Sequence, residues 1–437
     1  MIKFLKIVKS IRFWLLIICG KVLIKMLELS GKGQGSALPG LIIEKLYPGF
    51  LNYSLNHLKF KPLVITGTNG KTTTTKLTAE IFKSQNLKVL TNPSGSNFTR
   101  GIASELIRDI KFRPIAKQFD IAVLELDEAY AKQFAAKVDI GSLLILNISR
   151  DQLDRFGEID ATQKILEDVA AKSDKLILNL LEPSTTALYA KFKSQDIIFF
   201  GAEKELAKKI ITEGSLSSKF NPPKNAEAVI LEDAEIGDNF NLKLKIRINK
   251  LSLVLTINLQ GIYNGLNFVA ALAAAQSVID EKLNLSLVKE SEKLFKPAWG
   301  RSQQFEIDGT IIQLHLVKNP NGFNHVIQES RTNGGGCALF ALNDDYADGR
   351  DISWIWDVDF TKLKLKNVKT CGSRAYDMAI RLKYADLMVG MEDVDLIVSK
   401  ALQKLLAQPH KNKTVFASYT AMVEIYRILS KLSEGTK

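Results

Sequence analysis

Residues 63–81, LVITGTNGKTTTTKLTAEI, carry the residue types best suited to binding a phosphate group. A short apolar run typical of a strand leads into a glycine turn, and residues with helical spacing follow. This order is typical of a phosphate-binding loop, in which backbone N–H groups and the start of a helix surround an anion. In such a loop Lys71 would reach the outer phosphates of a nucleotide, and the hydroxyl of Thr72 would bind Mg²⁺.

The loop departs from the common GxxxxGK[ST] pattern. That pattern needs a glycine where Ile65 stands, so what remains is the shorter GTNGKTT. A glycine turn capped by threonines, with no nucleotide, is an alternative that this segment alone leaves open. The predicted nucleotide-binding residues of the loop are Gly67, Thr68, Asn69, Gly70, Lys71, Thr72 and Thr73.

Polar residues follow two further apolar runs. AVLELDEA, residues 122–129, ends a predicted strand with three carboxylates that include Glu125, and Mg²⁺ prefers oxygen ligands of this kind. LNISRDQLDRFGEID, residues 146–160, follows another apolar run with Asn147 and a dense set of charges. We interpret both segments as parts of a site, although a solvated strand end would also explain the acidic residues of the first.

A third acidic segment, residues 341–360, reads ALNDDYADGRDISWIWDVDF. It contains six aspartates and two tryptophans. It lacks the spacing and the terminal glutamate of an EF-hand calcium loop. Its chemistry indicates an acidic and aromatic surface, suited to a partner protein or to a catalytic carboxylate.

The elements that must position these residues alternate between strands and helices. From residue 61 to about residue 180, short apolar runs are separated by helical segments, which indicates a doubly wound parallel sheet. Ligands of such sheets bind beyond the carboxyl ends of the strands, where the phosphate loop also lies.

The pattern changes over residues 196–260, where alternation of apolar and polar residues predicts an antiparallel hairpin with one solvent-exposed face. A Pro-Ala-Trp-Gly break near Pro297 suggests a boundary. Beyond it, four segments are predicted as strands of a second α/β unit, namely CALFALND, VKTCGS, LMVGM and KTVFASYTAM. We therefore predict an N-terminal helical segment over residues 1–58, a nucleotide-binding domain over 59–297 and a C-terminal domain over 298–437.

The composition narrows the function classes. The chain has 437 residues, with 59 basic and 47 acidic residues and a net charge of +12. The basic residues are spread along the chain, so a nucleic-acid partner is not expected, whereas an anionic membrane surface or a phosphorylated substrate is. The 3 cysteines are far apart, which argues against a disulfide scaffold and indicates a reducing, cytoplasmic setting.

The N-terminal 30 residues begin with basic residues and contain an apolar run. Lys21 and Lys25 interrupt this run, so it is too short for a spanning helix, which needs about 18 uninterrupted apolar residues. Two interpretations stay open: a helix packed on the protein body, or a basic amphipathic helix lying on the inner face of the membrane.

Several of these segments together resemble the Mur ligase superfamily. The resemblance is carried by GTNGKTT, the strand-end Glu-x-Asp-Glu, NISRDQLDRFGEID and GIYNGLNFVAALAAA, in that order, and WGRSQQFE and LVKNPNGFNHVI resemble the start of the superfamily's C-terminal domain. It extends from about Gly31 to the end of the chain. It implies an α/β fold with a Mur ligase-type central P-loop domain, built on a parallel sheet, and a C-terminal α/β domain.

In detail, the sequence of these segments is similar to that of the superfamily members that act as one subunit of a two-subunit amidotransferase. The implied reaction is ATP-dependent amidation of the α-carboxyl of D-glutamate in the lipid II stem peptide to D-isoglutamine, through an acyl phosphate. Ammonia would come from a partner, a GatD-like glutamine amidotransferase subunit. A stand-alone ligase similar to folylpolyglutamate synthase, and a non-catalytic ATP-binding scaffold, are the alternatives.

The resemblance also implies roles for individual residues. Lys71 and Thr72 match the phosphate and Mg²⁺ residues of the superfamily, and Glu125 matches its Mg²⁺ carboxylate. Asn264 and Asn267 match the motif that lines the nucleotide base, and Arg301 matches the arginine that approaches the phosphates. Asp348 and Asp351 match the region that supplies a carboxylate to the glutaminase site, and Asp348 is favoured.

Two departures accompany the resemblance. Members of this subgroup carry a four-cysteine zinc ribbon in the central domain, but residues 196–260 contain no cysteine, so no zinc is expected. Only about 60 residues precede the phosphate loop, too few for the UDP-binding domain of longer superfamily members. A lipid-linked substrate at the inner face of the plasma membrane fits this difference.

Overall fold

The computed structural model describes residues 2–29, 37–92, 99–113, 115–148, 159–210, 222–223, 226–237, 241–295, 303–329 and 336–435. Over these residues the chain forms two sheets, one of nine strands and one of six. Helices cover both faces of each sheet, as the alternating sequence pattern predicts.

The larger sheet has the strand order β2-β3-β1-β4-β5-β6-β7-β8-β9. Its strands are β1 Leu63–Thr66, β2 Val89–Thr91, β3 Ile121–Glu125, β4 Ile140–Ile145, β5 Ser173–Asn179, β6 Asp196–Ala202, β7 Glu227–Ile236, β8 Leu242–Ile248 and β9 Leu251–Ile257. The pairs from β2 to β7 are parallel. The central strand β1 is buried on both faces, because Leu63 and Ile65 point into one core and Val64 into the other.

Helices form a layer on each face of this sheet. Those described before the second sheet are α1 Ile2–Leu29, α2 Leu38–Leu46, α3 Phe50–Leu55, α4 Lys71–Ser84, α5 Thr99–Asp109, α6 Glu128–Ala135, α7 Ile159–Ala170, α8 Pro183–Phe192, α9 Lys204–Ile210, α10 Ile262–Ile279 and α11 Leu285–Glu290. α4 and α10 pack on one face, and α1, α2 and α5 contribute to the core on the other.

Helix α10 lies at the centre of the first core. Its run of alanines is buried against the sheet, so the helix can approach the strands closely. It is the one helix within the described ranges that is long and apolar enough to cross a bilayer, and 78% of it is buried inside the protein. Its hydrophobicity is therefore accounted for by packing in the protein core.

The alternating region predicted as a hairpin joins the same sheet. β8 and β9 form an antiparallel hairpin in which Leu242, Leu244 and Ile246 are buried and alternate with more exposed residues. β6, by contrast, pairs in parallel with β5, so the first residues of the predicted 196–260 insertion continue the doubly wound sheet. The antiparallel part begins at the pairing of β7 with β8.

The six-stranded sheet has the order β10-β11-β15-β12-β13-β14. Its strands are β10 Gln303–Ile307, β11 Thr310–Leu316, β12 Gly336–Ala341, β13 Leu365–Cys371, β14 Val394–Asp395 and β15 Asn412–Ala417, and its helices are α12 Pro320–Glu329, α13 Ala375–Lys383, α14 Val398–Leu406 and α15 Tyr419–Gly435. Apart from the β10–β11 pair, the neighbouring strands are parallel.

One predicted strand of this domain is wrong. LMVGM, residues 387–391, is irregular up to Gly390, and Met391 begins a short 3-10 helix; the strand that pairs with β13 is the two-residue β14 that follows it. Leu387 is buried, whereas Met388 and Met391 are exposed. The apolar run therefore supplies Leu387 to the core, with Val389 packed against it, and no strand.

Candidate active site

The phosphate loop connects β1 to α4, and two of its glycines are required by geometry. Gly67 has φ +128° and Gly70 has φ +87°, a region that residues with a Cβ rarely adopt. A Cβ on Gly70 would also lie 2.4 Å from Oδ1 of Asn267. The loop therefore takes a shape that only glycine permits at these two positions.

Lys71 begins α4, and its side chain is buried under the loop. Its Nζ donates a hydrogen bond to the carbonyl oxygen of Gly67 at 2.6 Å and lies 3.1 Å from Oδ1 of Asp127, just beyond the end of β3. A buried ammonium needs such partners because its charge is poorly solvated there. The same position would let the ammonium pair with a phosphate oxygen next to the loop.

Thr72 and Glu125 come together as the sequence predicts. The Thr72 hydroxyl donates to Oε1 of Glu125 at 2.9 Å, and the Glu125 side chain is buried at the end of β3. The backbone of Glu125 is fixed by Asn92, which donates to its carbonyl oxygen at 2.7 Å and accepts from its N–H at 2.8 Å. β2 and β3 are thereby tied together at their carboxyl ends.

This pair fits a Mg²⁺ site in the chemistry of its donors. A hydroxyl and a carboxylate offer two hard oxygen ligands, and Mg²⁺ is usually held by one or two protein oxygens together with phosphate oxygens and water. Among the residues that the structure describes, no group of three or more His, Cys, Asp or Glu side chains is arranged to hold a metal ion. Thr72 and Glu125 are the residues that would hold Mg²⁺.

Asn69, in the middle of the loop, is held from two sides. Within the nucleotide-binding domain, the Asn147 side chain accepts a hydrogen bond from the Asn69 N–H at 2.8 Å and donates one to the Asn69 carbonyl oxygen at 3.0 Å. From the C-terminal domain, Asn319 Nδ2 donates to Oδ1 of Asn69 at 3.0 Å, and the N–H of Gly322 fixes Asn319 through a 2.8 Å hydrogen bond to its Oδ1. The loop therefore contacts both domains.

A ring contact accompanies this interdomain hydrogen bond. Tyr263 at the start of α10 and His325 on α12 have ring centroids 5.2 Å apart. Burial lowers the pKa of His325 to about 4, so its imidazole is neutral at pH 7. Since Asn319 lies just beyond β11, the carboxyl edges of the two sheets face each other across the phosphate loop.

Asn264 and Asn267 lie on the first turns of α10, against the loop. Asn267 Nδ2 donates to Oδ1 of Asn264 at 3.0 Å, and Asn264 Nδ2 donates to the carbonyl oxygen of Gln260 at 2.5 Å. Both side chains are buried, and Asn267 closely approaches Gly70. The structure thus places them beside the loop, and their predicted role toward the nucleotide base stays a prediction.

The acidic segment of the C-terminal domain lies at the carboxyl ends of β12 and β15. Asp348 is buried, and its two carboxylate oxygens accept from the N–H of Thr420 at 2.8 Å and from the Thr420 hydroxyl at 2.6 Å. Asp351 is more exposed and accepts from the N–H of Ser353 at 2.8 Å. Asp344 pairs with Arg374, and the hydrogen bond from Ser373 is the main cause of its lowered pKa.

Part of the predicted site lies outside the described residues. Arg301 falls in the range 296–302, and the whole charged RDQLDRFGE segment falls in 149–158. The predicted boundary near Pro297 lies in the first of these ranges. The predictions for these residues remain predictions.

Two residues of the site were missed by sequence reasoning. Asn92 and Asn319 were not singled out as site residues, although Asn319 lies within LVKNPNGFNHVI and Asn92 follows strand β2 directly, as Asn147 follows an apolar strand in LLILN. An asparagine just after a buried strand was the available signal. For Asn319, no residue pattern indicates the contact with Asn69, which joins positions 250 residues apart in the sequence.

Known structures share this architecture. MurF from Acinetobacter baumannii superimposes with a TM-score of 0.68 at 18% sequence identity, covering 91% of this chain and 80% of that one. MurF from Thermotoga maritima, solved in complex with ADP, superimposes with a TM-score of 0.63 at 16% identity, covering 90% of this chain and 85% of that one. The fold is that of the Mur ligases, so the predicted fold class is confirmed.

Sequence comparison narrows this class. The Mur ligase middle domain model matches residues 65–275, and the MurT ligase C-terminal model matches residues 316–422. The MurT subunit of lipid II isoglutaminyl synthase (glutamine-hydrolyzing) from Streptococcus pneumoniae (strain ATCC BAA-255 / R6) is 30% identical over 428 residues, covering 92% of this chain and 94% of the relative. Its counterpart from Staphylococcus aureus (strain COL) is 29% identical, covering 97% and 99%. The chain belongs to the MurT family.

Proposed function

We propose that this chain is the ATP-dependent ligase subunit of a lipid II isoglutaminyl synthase. It would act with a GatD-like glutaminase subunit, on lipid II, in the cytoplasm at the inner face of the plasma membrane. The observation that carries the proposal is the phosphate loop, where Lys71 and Asp127 lie beside Thr72 and Glu125 in a chain of the MurT family. The substrate and the amide donor are those in the names of the related MurT subunits.

The proposed reaction has two steps. The γ-phosphoryl group of ATP is transferred to an oxygen of the D-glutamate α-carboxylate, which gives an acyl phosphate and ADP. The nitrogen of ammonia then attacks the carbonyl carbon, the bond from that carbon to the phosphate oxygen breaks, and loss of a proton from nitrogen gives the amide. The first step is needed because a carboxylate is a poor electrophile, whereas phosphate is a good leaving group.

The residues of the loop have defined tasks in this scheme. Lys71 would neutralise charge on the transferred phosphoryl group, and the loop N–H groups and the start of α4 would orient it. Bound Mg²⁺ would supply further charge neutralisation, held by Thr72 and Glu125. Asn147 and Asn319 would keep Asn69, and with it the loop backbone, in one position.

The remaining predicted residues enter the proposal through the family resemblance. Asn264 and Asn267 would line the base of ATP, and Arg301 would approach its phosphates. The partner glutaminase would dock where a carboxylate of the 348–351 segment can reach its active site. Asp351 is the more exposed of the two aspartates and Asp348 the more firmly held, so the proposal keeps both as candidates.

The experiment is an amidation assay with the full chain, the glutaminase subunit, ATP, Mg²⁺, lipid II and glutamine labelled with ¹⁵N in its side-chain amide. Mass spectrometry of the product should show ¹⁵N in the stem peptide only when both subunits and ATP are present. Lys71→Ala should abolish this transfer while both subunits still associate.

Other outcomes separate the alternatives. Product formed from a free amino acid without the partner would indicate a stand-alone ligase instead. ATP binding with no product, under any amine donor, would indicate a scaffold. Unchanged amidation in Lys71→Ala would contradict the catalytic assignment of the loop.

A further inference from the structure

Helix α1 has two apolar faces, of which only one is covered by the protein. On the covered face, Phe13, Ile17 and Ile24 are buried in the core with α2 and α5, and a Cβ on Gly20 would lie 2.7 Å from the Ile107 side chain. These positions recur at intervals of three or four residues, so they share one side of the helix. This face anchors α1 to the nucleotide-binding domain.

The opposite face is apolar and exposed. Its large side chains are between 44% and 82% exposed, and they too recur every three or four residues: Ile11, Leu15, Ile18, Val22, Met26 and Leu29. This set is offset from the buried one by two residues, which is about 200° around an α-helix. An uninterrupted apolar stripe of this kind marks an interaction surface.

Exposed apolar side chains from neighbouring segments widen the stripe. Phe112, on the loop after α5, is 68% exposed, and its ring lies 6.2 Å from that of Trp14 on α1. Leu46, at the end of α2, is exposed near Arg12, whose guanidinium donates to the Leu46 carbonyl oxygen. We call α1 residues 11–29 together with Leu46 and Phe112 the helix-1 face.

The helix-1 face is bordered by positive charge. Helix α1 carries six basic residues and one acidic residue along its length. Lys25 on α1, Lys45 on α2, and Lys111 and Arg113 on either side of Phe112 are all exposed. Apolar side chains within a basic border are the arrangement with which amphipathic helices lie on anionic bilayers.

We propose that the helix-1 face binds the surface of a bilayer that contains anionic lipids. The apolar stripe would enter the boundary between headgroups and acyl chains, and the basic border would contact the lipid phosphates. A second copy of the chain is disfavoured as the occupant because two such faces would bring like charges together. The proposal deepens the proposed location of the protein, and it rests on the proposed function only for the source of the bilayer.

The test is co-sedimentation of the purified full chain with lipid vesicles, without ATP or substrate. We expect binding to vesicles of phosphatidylglycerol and phosphatidylcholine, and weaker binding to pure phosphatidylcholine or at high salt. Leu15→Glu combined with Val22→Glu should lower the fraction bound at least about tenfold, because it places charge within the apolar stripe.

The matched control is Ile236→Glu combined with Leu251→Glu, which changes two equally exposed apolar residues on β7 and β9. It should bind vesicles as the wild type does. Circular dichroism checks that each variant is folded, and Phe112→Ser, on a loop, provides an independent variant with the same expected direction.

The proposal is overturned if the wild type does not sediment with anionic vesicles, or if the Leu15→Glu, Val22→Glu variant binds as well as the control. It is also overturned if that variant instead dissociates a dimer or releases the glutaminase subunit while vesicle binding is absent. Amidation of a water-soluble substrate analogue is measured separately, so failure of the membrane proposal and failure of the ligase proposal give different results.

Discussion

The phosphate loop and the 348–351 segment occupy equivalent places in the two domains, but their carboxylates are used differently. Each region lies at the carboxyl edge of parallel strands and has a buried acidic side chain, which is Glu125 beside the loop and Asp348 within the segment. Glu125 has its backbone fixed by Asn92, so its side chain extends to the hydroxyl of Thr72. Both carboxylate oxygens of Asp348 accept hydrogen bonds from Thr420. Burial of a carboxylate therefore says little about its role until its partners are known.

The largest effect should come from the loop side of this comparison. Lys71→Ala removes the cation that would neutralise the transferred phosphoryl group, and we expect amidation to fall by roughly 10³-fold. Steady-state rates with saturating ATP and lipid II measure it. Lys83→Ala, on the same helix but exposed, is the control and should keep wild-type activity. Equal losses in both variants would mean that the loop has no special role.

The second prediction concerns stability in the C-terminal domain. Asp348→Ala removes two charge-assisted hydrogen bonds to Thr420, and we expect the free energy of unfolding to fall by about 3 kcal/mol. Asp351→Ala removes one hydrogen bond at an exposed site and should cost about 1 kcal/mol or less. Urea denaturation of both variants tests the difference. Similar losses would remove the contrast between the two aspartates.

The third prediction concerns the pH dependence of stability in the C-terminal domain. Burial lowers the pKa of His315 in β11 to about 4, below the usual value of about 6.5. The unfolded chain binds a proton more readily than the folded chain between these values, so stability falls as the pH decreases from about 6.5 to 4. At pH 5 this side chain should cost about 2 kcal/mol relative to pH 7.

His315→Gln should reduce that loss, whatever its effect on stability at pH 7. His325, half-buried in the same domain with its pKa also lowered to about 4, should add a further decrease. Urea denaturation at pH 7 and at pH 5 gives the free energy of unfolding at each pH, and the difference between the two is the loss on acidification. The prediction fails if the His315→Gln variant loses as much stability on acidification as the wild type.

The smallest effect should come from the contact that joins the two regions. Asn319→Ala removes the hydrogen bond to Asn69, worth about 1 kcal/mol, and we expect KM for ATP to rise about fivefold with kcat nearly unchanged. Asn367→Ala, which removes a contact with His410 inside the C-terminal domain, should leave KM unchanged. A loss confined to kcat would indicate that Asn319 acts on the chemical step.

The sequence predicted the parts of the site that depend on local order. Lys71, Thr72 and the glycines follow one strand directly, and Glu125 ends the next strand in space, so their proximity follows from a parallel sheet. The buried strands were also predicted correctly, because each appears in the sequence as an apolar run. The segment 387–391 was misread because an apolar run does not say whether a pairing edge is available, and β13 pairs with residues 394–395.

What the sequence did not predict depends on contacts between distant segments. Asn92 reaches Glu125 because β2 and β3 are neighbours, and Asn319 reaches Asn69 because the two domains meet at the loop. The local sequence around each asparagine does not indicate which distant residue it contacts. For α1, the sequence left open whether the helix packs on the protein or lies on a membrane, since residue types alone did not show which face the protein covers.

The hydrogen bond between Asn69 and Asn319 has a consequence for folding. Its partners are separated by 250 residues, and the entropy lost in closing so long a loop must be recovered by many other contacts. The β1–α4 unit can form from neighbouring segments, whereas this bond needs the C-terminal sheet to be in place. During synthesis the nucleotide-binding loop would therefore reach its final arrangement last, after the second domain has emerged and folded.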